Sequence, residues 1–189
     1  GRPLPALGPI ELAGRPPQTC FFPDIEVTPP LLWPGSLDAV TYPKDGHTDF
    51  VPSLFRDFYC TPPGVMTRKP GSDELHYFRF RFTCAVQMPL RLLFGYDGQA
   101  KVFIDKQACF ADPAGTNPIT IDEAKIDFAA GKGEHEVVIA LGTNQGKAWG
   151  VCARLDRSDL GKVNRRQPVA YPEILATSSR HAAKANLKQ

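Results

Sequence analysis

From Leu75 to Leu155 apolar side chains fall on every second residue, run after run, and this period constrains the fold more than any other feature. In "YFRFRFTCA" the residues Phe78, Phe80, Phe82 and Cys84 share one face, while Tyr77, Arg79, Arg81 and Thr83 share the other. "LRLLFGY" places Leu90, Leu92, Phe94 and Tyr96 together, and "KVFID" follows after the Tyr96-Asp97-Gly98 turn. "AKIDF" alternates Ile126 and Phe128, "EHEVVIAL" aligns His135, Val137, Ile139 and Leu141, and "WGVCARL" aligns Trp149, Val151, Ala153 and Leu155. A period of two puts alternate residues on opposite faces of a strand. Six such runs, parted by Gly, Pro, Asn and Asp turns, predict an all-β antiparallel sandwich or barrel. The stretch from Cys109 to Pro118 reads as a long turn-rich loop.

Proline marks a second regime. Fourteen of the nineteen prolines lie in residues 1–70, among them Pro16-Pro17, Pro29-Pro30 and Pro62-Pro63. Proline has no amide donor and a fixed φ, so this half cannot supply long central strands or helices. We therefore expect residues 1–70 to be an extended segment packing on a sandwich core at 71–156, with 157–189 as a basic tail or linker and one domain overall. That tail holds seven basic residues against two acidic ones, and Ser178-Ser179 offers a cap for a short helix. The net charge of +2 is too small to call for nucleic acid. No run of eighteen apolar residues is present, so no membrane partner is expected, and no leader peptide is legible at the start.

Signatures of catalysis and metal binding are missing from the sequence: GxSxG, HExxH, a Walker loop, GxGxxG and CxxC are all absent. Cys20, Cys60, Cys84, Cys109 and Cys152 are scattered, and Cys84 and Cys152 read as small core residues. His135 falls on an inward face and reads as a satisfied core or edge histidine. Asp122-Glu123 and Glu134/Glu136 sit too close in sequence for a glycosidase pair, whose carboxylates come from separate elements. Asp97, Asp105, Asp112 and Asn117 carry the hard oxygen ligands Ca²⁺ prefers, though the same residues make Asx turns without metal. Trp33, Tyr42, Tyr96 and Trp149 are either stacking platforms for a sugar ring or packed aromatics. An enzymatic reading would need distant residues such as His47, Asp49 and Glu134 to converge.

The order of these motifs resembles the galactose-binding-domain-like β-sandwich (jelly roll), an accessory module of carbohydrate-active enzymes. The resemblance rests on "LRLLFGYDGQAKVFIDKQ", "DPAGTNPITIDEAKIDFAAGKGEHEVVIAL" and "GTNQGKAWGVCARL", about eighty residues in all. Family members show a Gly-Asp turn after an apolar strand, an Asn-Gly turn, a Gly-x-Asn before an apolar strand, and a final Trp-Gly strand ending near Arg-Leu. This chain departs from them at Asp105-Lys106 and at Gly133-Glu134-His135. The resemblance implies a non-catalytic carbohydrate-binding module of a secreted or cell-envelope glycoside hydrolase or related enzyme. Its partners would be a glycan ligand and the catalytic domain of the same polypeptide. Ligand-binding residues on this reading are Trp33, Tyr42, Asp97, Asn117, Asn144 and Trp149. No cofactor is required, and some members carry a structural Ca²⁺. The alternative is a structural domain that packs on a catalytic partner without binding sugar.

Overall fold

The computed structural model describes residues 25–44, 49–56, 58–64, 71–159 and 170–175. Among them are thirteen strands and no helix: β1 Glu26–Val27, β2 Leu31–Leu32, β3 Val51–Pro52, β4 Leu54–Arg56, β5 Tyr59–Thr61, β6 Glu74–Cys84, β7 Met88–Tyr96, β8 Gln99–Ile104, β9 Gln107–Asp112, β10 Ala124–Ala130, β11 Gly133–Gly142, β12 Val151–Arg157 and β13 Glu173–Leu175. Eight form one antiparallel sheet, ordered β3-β1-β6-β11-β8-β9, with β2 and β13 also paired to β6. The other five form a second antiparallel sheet, ordered β10-β7-β12-β5-β4. The chain is an antiparallel β-sandwich, as the alternation predicts.

The core lies between the sheets and is filled by the inward half of each run. Phe78, Phe82, Leu90, Leu92, Phe94, Ile139 and Leu155 are fully buried. Each contributes about 1.5–3 kcal/mol by leaving water. Phe110 of β9 meets the Phe94 ring edge-on at 5.1 Å, and Phe128 of β10 approaches Phe82 at 6.3 Å. Each contact ties an edge strand of one sheet, β9 or β10, to an inner strand of the other.

A second apolar layer covers the outer face of the eight-stranded sheet. Leu75, Tyr77, Phe103, Val138 and Ala140 point outward there, and Leu37 and Val40 bury against them, with Trp33, Tyr42 and Phe50 alongside. Polar bonds fix this covering segment: Lys101 Nζ donates to the Val40 carbonyl at 2.8 Å and Tyr77 Oη to the Thr41 carbonyl at 2.7 Å. Beside it, Arg79 donates to Glu26 at 2.6 Å and lies 3.7 Å over the Phe50 ring. Glu136 stands opposite Arg81 on the neighbouring strand and accepts a bond from the Tyr42 hydroxyl.

Strand β6 is eleven residues long, and three short strands lie end to end along one of its edges. β2 pairs at Glu74–Leu75, β1 at Phe78–Arg79, and β13 at Arg81–Thr83. Pro29-Pro30 separates β1 from β2, which is why one continuous strand cannot form. Pro52 occurs in β3, an edge strand, where a missing donor costs no ladder bond. The proline-rich half thus hydrogen-bonds into both sheets through β1–β5.

Two departures from the sequence reading have local causes. Residues 109–112, expected in a loop, belong to β9. Val102 pairs with Phe110 and Phe103 with Ala108, so Cys109 is the extra residue of a bulge. Trp149, expected to open the last strand, lies outside it and is 44% exposed. Cys84, Cys109 and Cys152 are free thiols, and burial pushes the Cys152 thiol up to about 11. The helix expected after Ser178, together with Cys20, His47 and His181, lies outside the described residues.

Candidate functional site

Three loops meet at one end of the sandwich: the β7–β8 turn at 97–98, the loop at 113–123, and the loop at 143–150. Glycines let them touch. A methyl on Gly98 would sit 2.1 Å from the Gly142 carbonyl oxygen, and one on Gly115, at φ +70, 2.7 Å from the Gly98 backbone. Thr116 Oγ1 closes the contact by donating to the Tyr96 carbonyl. From the other side, Gly71 N donates to the Gln145 carbonyl at 2.9 Å, and Asp73 accepts from Gln145 N at 2.6 Å.

Asp97 organises this end from within. It is 2% exposed, and its two oxygens accept from Trp149 N at 2.6 Å and Gly150 N at 3.0 Å. A carboxylate on two backbone amides is a charge-assisted clamp. The bonds also take amides that a continuing strand would use, which explains why β12 starts only at Val151. Gly150 in turn presses on β5: a methyl there would lie 2.0 Å from the Cys60 carbonyl oxygen. The Trp149 ring therefore projects from a backbone held on both sides.

The six expected ligand residues are distributed unevenly. Trp149, Asn144 and Asn117 are exposed on the loops of this end. Asn144 adopts φ 45, and its carbonyl accepts from Lys147 N at 3.2 Å. Trp33 lies nearby on the outer sheet face, its ring filling the space over Gly142, where a methyl would come within 2.7 Å. Asp97 is beneath the site, with both oxygens engaged by backbone, so it supports the loop rather than facing solvent. Tyr42 is elsewhere. It bonds Glu136 and meets Phe103 edge-on at 5.9 Å. Gly142 and Glu136 are six positions apart on β11, about 20 Å at roughly 3.3 Å per residue. The segment 71–73, which completes the loop end, has no periodic signal that marks it in the sequence.

The remaining oxygen ligands are occupied locally. Asp112 accepts from Ala114 N at 3.0 Å, an Asx turn, and from Tyr96 Oη at 2.8 Å. Burial, and then this carboxylate, push the Tyr96 phenol far above its ordinary value. Asp105 accepts from Glu136 N at 3.0 Å and faces His135 Nδ1 at 2.7 Å. Asp122 is bound by Arg154. His76 is buried, with Nδ1 at 3.0 Å from the Thr28 carbonyl and Nε2 at 3.8 Å from Glu74. Among the described residues no three His, Cys, Asp or Glu side chains converge as a metal would need. Asp49 and Glu134 are exposed.

No protein-family model matches the sequence, and no curated protein matches it. Solved structures with similarity include a β-glucosidase from Kluyveromyces marxianus in complex with glucose, at 11% identity and TM-score 0.46, covering 71% of this chain and 15% of that one. A GH31 α-xylosidase from Xanthomonas citri gives 12% identity and TM-score 0.44 over 92% of this chain and 20% of that one. The PA14 domain of the MpAFP antifreeze protein gives 12% identity and TM-score 0.36, covering 49% and 47%. The chain thus spans a fifth or less of the two glycoside-hydrolase chains. At TM-scores below 0.5 these likenesses carry no argument about family or chemistry. Among the described residues no helix is long and apolar enough to cross a membrane.

Proposed function

We propose that the chain is a non-catalytic glycan-binding module of the galactose-binding-like kind, working beside a catalytic domain of the same polypeptide in a secreted or cell-envelope setting. The observation that carries this reading is Trp149, 44% exposed on a backbone clamped by Asp97. An indole held in solvent on a rigid loop offers a flat apolar surface without the entropy cost of ordering it on binding. The C–H face of a sugar ring packs on such a surface, and exposed amides hydrogen-bond its hydroxyls. Asn144 and Asn117 are placed for that role on the flanking loops, and Trp33 forms part of the rim. No metal is needed for this contact; a structural Ca²⁺ at the loops is a separate question for calorimetry.

The test is titration of the protein and its Trp149→Ala variant against a panel of mono- and oligosaccharides. The variant should lose at least about tenfold in affinity, the equivalent of ~1.4 kcal/mol, with an unchanged melting temperature. A folded wild-type protein that binds no sugar at millimolar concentration overturns the reading.

One observation favours a second reading, a scaffold that docks on its catalytic partner. Leu54 and Phe55, on the edge strand β4, are 45% and 41% exposed. If they form the docking face, removing the module from the parent enzyme lowers that enzyme's melting temperature, whatever the fate of Trp149.

A further inference from the structure

At the end of the sandwich away from Trp149, the chain crosses from one sheet to the other through the short turn between β10 and β11. His135 lies just beyond that turn on β11, and its imidazole stacks on the Phe82 ring with centroids 5.2 Å apart. Its Nδ1 is 2.7 Å from Asp105 Oδ2, and its Nε2 is 2.9 Å from the Gly131 carbonyl oxygen. A carboxylate and a carbonyl are both acceptors. A neutral imidazole has one N–H and can satisfy only one of them, whereas an imidazolium donates to both. We propose that His135 is a protonation-dependent latch, which in its cationic form ties the inter-sheet turn at Gly131 to the β8–β9 hairpin at Asp105.

The surroundings support a latch that opens on one side only. Asp105 is anchored independently of His135: its Oδ1 accepts from Glu136 N at 3.0 Å, and its own N donates to the Glu136 carbonyl at 2.9 Å. The neutral ring therefore keeps its proton on Nδ1, toward the carboxylate, and turns a lone pair toward Gly131. That bond is the one released. The turn has room to move, because nothing lies within 4 Å of where a methyl on Gly131 or Gly133 would be.

The other charged and titratable groups around the ring come from each packed element. From β6, Cys84 stands opposite Gly133, its thiol pushed up by burial, with Arg157 and Asp105 acting on it in opposite directions. From β13, Glu173 pairs with Thr83, next to Phe82. Lys132 is in the turn itself, and Glu134 and Glu136 flank His135 on its own strand. From β10, Asp127 is already bound to Arg91. Lys106, beside Asp105, has its Nζ 5.8 Å from the Tyr42 ring centroid.

Burial opposes the cation, but the hydrogen bonds to Asp105 and Gly131 outweigh it, so the His135 pKa is raised above 6.5. The sign follows from linkage. Stabilisation by this group is fully present below the unfolded value near 6.5 and is lost as pH rises through the folded value.

The experiment is an NMR titration of the histidine rings with amide exchange, on the wild type and on His135→Gln and Asp105→Asn. The His135→Gln spectrum assigns the ring. His135 should titrate above 6.5 and fall in Asp105→Asn. After correction for intrinsic rates, protection at residues 132–134 should drop several-fold between about pH 5.5 and about pH 8.5. Protection at 105–107 should hold, and His135→Gln should abolish the pH dependence. Titration at or below 6.5, or protection at 132–134 that ignores pH, overturns the proposal; because both are read in wild-type protein, a variant that fails to fold does not shield it.

Discussion

Asp97 and Trp149 both belong to the loop end, one buried beneath it and the other exposed on it. The Asp97 turn was legible as polar and loop-borne, but its carboxylate is spent on Trp149 N and Gly150 N inside the protein. Trp149 was legible as an aromatic of interest. Its exposure was not, because the residue shares the two-residue period of Val151, Ala153 and Leu155. The amides that break the period are claimed by a residue more than fifty positions earlier in the chain, which no local pattern reveals. Replacing Asp97 by Ala leaves two amides without their acceptor, and should cost about 2–4 kcal/mol in urea unfolding. Sugar affinity should fall with it if the Trp149 loop is the site, whereas Trp149→Ala should lower affinity alone.

Among elements, legibility followed length and unbroken alternation. β6, β7, β8, β10, β11 and β12 are six to eleven residues long and were readable. β1–β5 and β13 are two or three residues each, too short to show any period. β9 is long enough, but the bulge at Cys109 shifts its alternation midway, and so it read as loop. The hairpin before it is instructive. Asp105 and Lys106 have φ of 49° and 70°, the left-handed pair that a two-residue hairpin needs and that Asn-Gly supplies more readily. The departure from the family pattern thus preserves the turn's shape, while the Asp105 side chain gains its bonds to β11. Lys106 carries the left-handed cost of a residue with a Cβ. Lys106→Gly should therefore stabilise the protein by about 0.5–1 kcal/mol, seen as a higher urea midpoint at constant slope; a lower midpoint would mean that the Lys106 contact over Tyr42 outweighs backbone strain.

At the scale of the whole molecule, the two sheets, the outer apolar layer and the loop end are one connected object, because the covering segment bonds to the same β6 and β11 that wall the core. The composite edge of β6 has a consequence in time. A chain leaving the ribosome has β6 complete long before Glu173 arrives to pair with Thr83, ninety residues later. Until then the backbone of Arg81–Thr83 is an open strand edge, the kind of surface that recruits a second chain. A polypeptide ended after residue 169 should accordingly fold but associate with rising concentration, whereas one ended after 175 should stay monomeric. Light scattering of the two decides it, and equal behaviour would show that β13 protects nothing. This edge is thus open during synthesis, and the last described strand is the one that closes it.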